Sequence, residues 1–355
     1  MKISFQTFEL EKRFALTISR GTSSGSTNIW LRVEADGIEG WGEASSFSWY
    51  GIHQSTDVTL SHLTALQPAL EVFHPLQREA IHALLDERQI PSVTRAIVDL
   101  ALHDWLGKAA QLPLWKLWGL DVATTPETSV TVGINEPALV KERVLDWLEH
   151  APGCTLKVKL GSPQGIAFDQ SIIRAVVETA PDATVRIDAN GGWSVEDALV
   201  MCDWLQEQGV LSVEQPLVRG EEDKLPVLFE RSPLPIFADE SCFDRADIIA
   251  LADRVHGVNI KLMKCGGITE AIRMIHTAQA CGLHVMFGCF SESALSIQAA
   301  VQLSPLAYTV DLDSHLNMKN WPFLGDSLEQ GRICPGGRPG LGVVHGPDSL
   351  VSSTS

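Results

Sequence analysis

Eight short apolar segments recur along the second part of this 355-residue chain and alternate with amphipathic helical patterns. They cover residues 129–134, 155–160, 184–188, 210–214, 235–239, 255–262, 283–287 and 308–313. Strands that are apolar along their whole length are typical of parallel sheets covered by helices. We therefore predict an α/β fold in which eight strands close into a (β/α) barrel. An open doubly wound sheet is the alternative, but it calls for a phosphate loop after its first strand, and no GxGxxG motif occurs there.

The first part of the chain has a different pattern. Apolar and polar residues alternate in 5–8 and 29–33, which predicts antiparallel strands, and Asp36-Gly37 predicts a turn. Residues 58–118 have helical periodicity. Strands followed by helices predict a small α+β domain. We assign residues 1–122 to this domain, 123–322 to the barrel, and 323–355 to a Gly- and Pro-rich segment that returns to the first domain.

Composition narrows the class of protein. The formal net charge is −17, and so acidic a surface disfavours nucleic acids and anionic membranes as partners. No apolar run reaches the ~18 residues of a membrane helix, and the first residues lack the pattern of a signal peptide. The seven cysteines include no CxxC pair, which is typical of reduced cysteines. We expect a cytoplasmic protein without nucleic-acid or membrane partners.

Ionisable residues end several predicted strands, where burial makes a charge costly unless it is paired or bound to a metal. The third, fourth and fifth strands end in Asp188, Glu214 and Asp239. The C-terminal ends of barrel strands meet at one face, so the three carboxylates should converge. Ligation by oxygen alone suits Mg²⁺. We predict a Mg²⁺ site here; for any one acid, an ion pair with a nearby lysine is the alternative.

Lysines accompany these acids. Side chains alternate along a strand, so Lys157 and Lys159 share one side of the second strand, while Lys261 lies on the sixth strand, at the opposite wall. A lysine with its ordinary pKa near 10.4 is a poor base at neutral pH, but a second ammonium and a divalent cation would lower that pKa. We predict that Lys159 and Lys261 remove a carboxylate's α-proton and return it on the other face, while the cation stabilises the enediolate.

Several motifs resemble those of the enolase superfamily, and together they resemble its muconate-lactonizing subgroup over nearly the whole chain. They are KVK at 157–159, DANGGW at 188–193, EQP at 214–216, ADES at 238–241 and KLMKCGG at 261–267. Residues 40–44 and 95–108 resemble the capping domain of that superfamily, and residues 339–343 its closing segment. The resemblance implies a TIM-like, modified (β/α)7β barrel with an N-terminal capping domain, and it implies the metal and lysine roles given above.

Within the subgroup, Asp311 and Asp313 resemble the DxD signature of dipeptide epimerases. The resemblance implies that this pair binds the α-ammonium of a dipeptide and that Thr131 contacts the substrate. Lys157, with the metal, is expected to bind the substrate carboxylate. Arg20 falls in the loop that covers the site in relatives, and it matches an arginine that contacts a glutamate side chain there. The favoured function is an isomerase, an L-Ala-D/L-Glu epimerase.

Alternatives remain open. Trp49 and Tyr50 precede Gly51, and Ile52 follows it where relatives often have an acid, so epimerisation of hydrophobic dipeptides is one of them. Cycloisomerases, o-succinylbenzoate synthases and N-acylamino acid racemases belong to the same subgroup. A non-enzymatic metal-binding barrel is a further alternative, although it would have no use for two buried lysines. We expect a small-molecule dipeptide as partner, and a homo-oligomer is compatible with barrels of this kind.

Overall fold

A computed structural model describes residues 1–49 and 51–350 of the chain. The N-terminal region starts with a three-stranded antiparallel sheet and a short hairpin, followed by helices. The strands are β1 (Lys2–Ile18), β2 (Gly21–Ala35), β3 (Ile38–Ala44), β4 (Phe47–Trp49) and β5 (Ile52–Gln54); the helices are α1 (Thr56–Leu70), α2 (Arg78–Glu87), α3 (Ser92–Ala109) and α4 (Leu114–Leu117). The predicted turn joins β2 to β3, because Asp36 and Gly37 both adopt positive φ, at 53° and 73°.

The barrel is a single sheet of eight parallel strands that are neighbours in sequence order. They are β6 (Ser129–Val132), β7 (Thr155–Lys159), β8 (Val185–Asp188), β9 (Val213–Glu214), β10 (Ile236–Ala238), β11 (Gly257–Ile260), β12 (His284–Phe287) and β13 (Thr309–Val310). A parallel bridge between Thr128 and Val310 joins the last strand to the first and closes the barrel. The predicted eight strands are therefore confirmed. The strands are shorter than the predicted apolar segments, because apolar residues at the ends of those segments are buried without pairing to a neighbouring strand.

Helices cover the barrel on the outside. They are α5 (Pro137–His150), α6 (Ile166–Thr179), α7 (Val195–Glu207), α8 (Leu225–Arg231), α9 (Arg245–Leu251), α10 (Leu262–Cys265), α11 (Ile268–Ala280) and α12 (Ala294–Val301). In α5, Val140, Val144 and Trp147 are buried at helical spacing and give the apolar stripe that packs on the strands. After β13 the described chain forms a 3-10 turn, Ser314–Asn317, and no further α-helix, which confirms the modified (β/α)7β architecture. None of the described helices is long and apolar enough to cross a membrane.

The C-terminal segment packs against the N-terminal region. Its strands are β14 (Phe323–Leu324), β15 (Leu328–Glu329), β16 (Arg332–Ile333) and β17 (Val344–His345). The rings of Phe323 and Trp30 lie 5.4 Å apart, and the backbone N–H of Leu341 donates to Asp104 Oδ1 over 2.9 Å. This packing holds the N-terminal region over one end of the barrel.

The end of the β1–β2 hairpin, residues 16–23, reaches across the C-terminal face of the barrel; we call it the cover hairpin. The register of β1 with β2 breaks between Glu11 and Leu16 and resumes in the cover hairpin. On the far side, Ser19 Oγ donates to the backbone carbonyl of Asn190 over 3.1 Å. The cover hairpin thus covers the face of the barrel where the strand-end residues lie.

Candidate active site

Three carboxylates meet at the C-terminal end of the barrel. Asp188 and Glu214 are the last residues of β8 and β9, and Asp239 directly follows β10. The three strands are neighbours in the sheet, which is why the acids stand side by side. One oxygen from each acid lies within 4.8 Å of the others, and all three side chains are buried. The structure therefore brings together the three residues predicted to bind a metal.

Burial and neighbouring charges shift the pKa values of Glu214 and Asp188 in opposite directions. Burial and the charge of Asp188 raise the pKa of Glu214 to about 7. Burial also disfavours the charged form of Asp188, but Lys159 and Lys157 outweigh it and lower the pKa of Asp188 to about 2. Crowded acids of this kind are stabilised by positive charge, which here comes from lysines and could equally come from a cation.

The donor set fits a hard cation. The carboxylates offer only oxygen atoms, the ligands that Mg²⁺ prefers. Asn190 and Asn259 donate to Asp188 and Glu214 through their side-chain nitrogens. Within the described chain, their own oxygens Asn190 Oδ1 and Asn259 Oδ1 are buried without a donor, as is Glu240 Oε2. Such acceptors are costly unless they receive a hydrogen bond, and the waters of a hydrated cation would supply one.

Lys159 and Lys261 line one cavity from opposite walls. Lys159 ends β7, and Lys261 directly follows β11, four strands further round the barrel. Lys159 Nζ lies 2.6 Å from Asp188 Oδ2, and Lys261 Nζ lies 2.8 Å from Asp239 Oδ2. Both side chains are largely buried. The two lysines predicted as bases therefore flank the carboxylate cluster.

The acids beside Lys261 favour its charged form. Burial lowers its pKa, but the charges of Asp239 and Glu214 outweigh burial and raise that pKa above its ordinary value. Lys264 binds the same acid, with Nζ 2.6 Å from Asp239 Oδ1. Burial raises the pKa of Asp239, yet Lys261 and Lys264 together hold it far below the ordinary range. A divalent cation on these oxygens would disfavour the ammonium form of Lys261 and lower its pKa, while it would keep Asp239 ionised as the lysines do.

Lys157 lies beneath the cavity among the acids. Its Nζ is 2.6 Å from Glu214 Oε2, 2.7 Å from Asp311 Oδ2 and 3.3 Å from Asp188 Oδ2. Burial disfavours its charge, but these carboxylates outweigh burial and raise its pKa well above the ordinary value. Because Lys157 precedes Lys159 by two residues, it points to the same side one layer deeper in the barrel. The structure places Lys157 among these acids, and its predicted contact with the substrate carboxylate stays a prediction.

The two acids after the eighth strand have different surroundings. β13 ends at Val310, so Asp311 and Asp313 follow the strand, although they were predicted to lie within it. Asp311 accepts from Ser129 Oγ over 2.6 Å and pairs with Lys157. Asp313 Oδ2 accepts from the backbone N–H of Thr131 over 2.7 Å. Burial and the charge of Asp311 raise the pKa of Asp313 to about 6.

The cavity has a volume of about 370 Å³, which suits a small molecule. Its wall includes Lys159, Lys261, Asp311, Asp313 and Thr131. Lys12, in the irregular stretch of β1, also lines it. Nothing in the sequence marked Lys12, since its approach depends on how the N-terminal sheet packs on the barrel.

Arg20, at the tip of the cover hairpin, lines the cavity but is bound by internal partners. Its guanidinium donates to Glu240 Oε1 over 2.7 Å and to the Asn190 carbonyl over 2.8 Å. It also lies over the ring of Trp49, 5.4 Å from the centroid. The predicted contact with a substrate carboxylate would therefore compete with Glu240. Tyr50, named beside Trp49 in the sequence analysis, lies outside the described residues.

An apolar wall stands beside Lys261. The rings of Trp49 and Phe290 lie 4.9 Å apart, and Lys261 Nζ lies 5.1 Å and 4.9 Å from their centroids. Leu16 and Ile18 of the cover hairpin line the same cavity. Phe290, Leu16 and Ile18 were not predicted from the sequence. Phe290 alone carried a signal, because it follows a barrel strand, as the acids do.

Comparison with known protein families decides the relationship. The family described as mandelate racemase/muconate lactonizing enzyme, N-terminal domain, matches residues 3–119, and the one described as enolase C-terminal domain-like matches residues 140–349. The chain belongs to the mandelate racemase/muconate lactonizing enzyme family of the enolase superfamily. This agrees with the resemblance drawn from the strand-end motifs.

Relatives within this family match along the full length. A hydrophobic dipeptide epimerase from Roseobacter litoralis is 44% identical, over 97% of this chain and 99% of the relative. An L-Ala-D/L-Glu epimerase from Bacteroides thetaiotaomicron is 35% identical, over 97% and 88%. The crystal structure of a dipeptide epimerase from Enterococcus faecalis, complexed with Mg and L-Leu-L-Tyr, superposes with a TM-score of 0.89 at 30% identity, over 97% of this chain and 99% of that chain.

Proposed function

We propose that this protein is a Mg²⁺-dependent dipeptide epimerase, an isomerase that inverts the α-carbon of the C-terminal residue. The observation that carries the proposal is the placement of Lys159 and Lys261 on opposite walls of one cavity, beside three converging carboxylates and Asp313. Full-length similarity to dipeptide epimerases supports it.

In the proposed reaction, the two lysines act on opposite faces of the α-carbon. One of them, as the neutral amine, removes the α-proton; the other, as the ammonium, delivers a proton to the opposite face. The proton count is unchanged, and the configuration is inverted. The strand order supports this exchange, because strands four apart in an eight-stranded barrel face each other.

Asp188, Glu214 and Asp239 would hold the Mg²⁺. When bound, the cation supplies positive charge that stabilises the negative charge developing on the substrate carboxylate. Lys157 pairs with Glu214 and Lys264 with Asp239, each over 2.6 Å, and these ion pairs favour the ionised form of the acids and hold them in place.

Asp313 would bind the substrate's α-ammonium. The acid lines the cavity, and no lysine or arginine of the described chain forms an ion pair with it, whereas Asp311 already has Lys157. A dipeptide held this way spans the cavity from the metal acids to Asp313. Thr131 would contribute by fixing Asp313 through its backbone N–H.

We further propose that apolar dipeptides are preferred over L-Ala-L-Glu, the favoured substrate from sequence alone. Trp49 and Phe290 form an apolar wall beside Lys261, where the side chain of the reacting residue would lie. Arg20, the residue suited to a glutamate side chain, is paired with Glu240. Selecting an acidic side chain would require breaking that pair, which costs free energy.

The test is a dipeptide library incubated with the protein and Mg²⁺ in D₂O, analysed by mass spectrometry and chiral separation. We expect one deuterium at the α-carbon of the C-terminal residue, inverted configuration and no elimination product, with apolar L,L-dipeptides fastest. N-acylated amino acids serve as controls. Faster racemisation of an N-acylamino acid than of every free dipeptide would replace the proposal with an N-acylamino acid racemase, and elimination would indicate a lyase.

A further inference from the structure

Lys12 is a buried cation in the cavity wall that the steps above do not use. Where β1 leaves register with β2, the backbone of Lys12 pairs with Met318, beyond the last barrel strand. Its side chain lines the cavity and the residue is only 8% exposed. A buried ammonium is costly unless hydrogen bonds or opposite charges compensate it.

Other residues of the described chain offset the cost of burying the Lys12 ammonium only in part. An ammonium has three N–H donors, and among residues 1–49 and 51–350 the acceptor for Nζ is Ser23 Oγ, 3.2 Å away. No carboxylate in those ranges forms an ion pair with Lys12. Burial lowers the pKa of Lys12, and the charge of Asp313 partly offsets this effect. Lys12 therefore keeps donors that face the cavity.

Lys12 and Asp313 together present a positive and a negative group on one cavity wall. The N-terminal residue of a dipeptide carries the matching pair. Its α-ammonium is positive, and its carbonyl oxygen is a hydrogen-bond acceptor. The two groups are attached to adjacent carbons, so they lie close together. Electrostatic complementarity of this kind fixes the orientation of a ligand.

We infer that Lys12 donates a hydrogen bond to the peptide carbonyl oxygen of the substrate while Asp313 binds the adjacent ammonium. This inference rests on the proposed function and adds a specificity-determining residue to it. The peptide carbonyl lies on the nitrogen side of the reacting α-carbon, so its hydrogen bond changes little when the α-proton leaves. Lys12 therefore contributes equally to binding of the substrate and of the transition state.

The experiment measures steady-state kinetics of the Mg²⁺-loaded enzyme with the best dipeptide of the exchange screen. Lys12→Met should raise KM by about tenfold or more, the typical effect of losing a hydrogen bond to a charged group, with kcat little changed. Lys319→Met is the matched control, because Lys319 is exposed and its nearest acid is Glu11 at 3.8 Å. Lys319→Met should leave both constants unchanged. Thermal unfolding establishes that each variant is folded, and Lys12→Leu, which also lacks a donor, takes the place of Lys12→Met if the latter does not fold.

Two analogues, used as competitive inhibitors, separate the two contacts. The des-amino analogue keeps the carbonyl and lacks the ammonium; the trans-alkene analogue keeps the ammonium and lacks the carbonyl. Lys12→Met should weaken inhibition by the des-amino analogue and leave that by the alkene unchanged, and Asp313→Asn should do the reverse. An unchanged KM in folded Lys12→Met, or weaker inhibition by the alkene alone, would overturn the inference while the epimerase stands. Absence of dipeptide exchange by the unmodified protein would instead refute the proposed function.

Discussion

Asp311 and Asp313 are separated by one residue and yet face different partners. Asp311 is paired with Lys157, so its charge is already balanced inside the barrel. Asp313 receives a backbone N–H from Thr131, and burial together with the charge of Asp311 raises its pKa to about 6. A raised pKa means that the ionised form is held at a cost, and a substrate ammonium would offset that cost.

A dependence of activity on pH follows from Asp313. Binding of an ammonium requires the ionised carboxylate, which is present above the pKa and lost below it. We expect kcat/KM for a free dipeptide to fall as the pH decreases through about 6. Asp313→Asn should lower kcat/KM by about tenfold or more and remove this part of the pH profile. If kcat/KM of Asp313→Asn still falls near pH 6, another group causes that pH dependence.

Single residues also show why the site was only partly predictable. Asp188, Glu214 and Asp239 could be found because each ends an apolar strand, where an unpaired charge has no structural use. Lys12 could not be found, because it reaches the cavity through a break in strand register and a contact with residue 318. The partners of Lys157 and Arg20 were likewise hidden, since they come from separate loops.

At the scale of elements, a buried acid joins the N-terminal region to the barrel. Asp99 on α3 accepts from the backbone N–H of Thr269 on α11 over 2.9 Å and from His82 over 2.9 Å. Burial disfavours its charge, but His103 and His82 outweigh burial and lower the pKa of Asp99 from 3.8 to about 2. α11 follows shortly after Lys261, so Asp99 holds together the elements next to the site.

The free energy of unfolding should depend on Asp99. A lowered acid pKa contributes stability that is present above the ordinary value of 3.8 and is lost as the pH falls through about 2. Asp99→Ala should reduce the free energy of unfolding by about 3–5 kcal/mol at neutral pH, because it leaves buried donors without an acceptor. Urea denaturation at pH 7 and between pH 4 and 2 measures this. If acid lowers the free energy of unfolding equally in Asp99→Ala and in the unmodified protein, groups other than Asp99 cause the acid sensitivity.

The cover hairpin leads to a prediction about Arg20. Because Arg20 binds Glu240 and the Asn190 carbonyl, it fastens the hairpin over the cavity. Arg20→Met should therefore reduce kcat/KM for apolar and acidic dipeptides in parallel. Assays with one dipeptide of each kind test this. A loss confined to dipeptides with a C-terminal glutamate would make Arg20 a recognition residue, as the sequence suggested.

At the scale of the whole molecule, metal binding should stabilise the fold. Three buried acids at the ends of neighbouring strands repel one another, and a cation relieves that repulsion. A ligand at 100 times its Kd adds about 2.7 kcal/mol to the free energy of unfolding. Mg²⁺ should therefore raise the melting temperature of EDTA-treated protein and restore its activity. Asp239→Asn should reduce both effects, and an equal thermal shift in that variant would place the metal elsewhere.

The barrel was more predictable from the sequence than the shape of the cavity. Eight apolar segments sufficed to predict the barrel, since burial on both faces leaves few other folds. The cavity, in contrast, is shaped by long-range packing, such as Trp49 against Phe290 and the cover hairpin on Asn190. The pattern within a segment carries no information about such contacts, so Phe290, Leu16 and Ile18 of the cavity wall were found only in the structure.

Stereospecific proton exchange by lysine variants tests the two-base account most directly. Lys159→Ala and Lys261→Ala would each be incubated with the L,L- and the L,D-dipeptide in D₂O and Mg²⁺, with deuterium and configuration recorded separately. We expect both variants to have lost epimerisation, and each to retain exchange with at most one stereoisomer, the opposite one for each variant. Undiminished epimerisation by either variant, or exchange of both stereoisomers by one of them, would contradict the account.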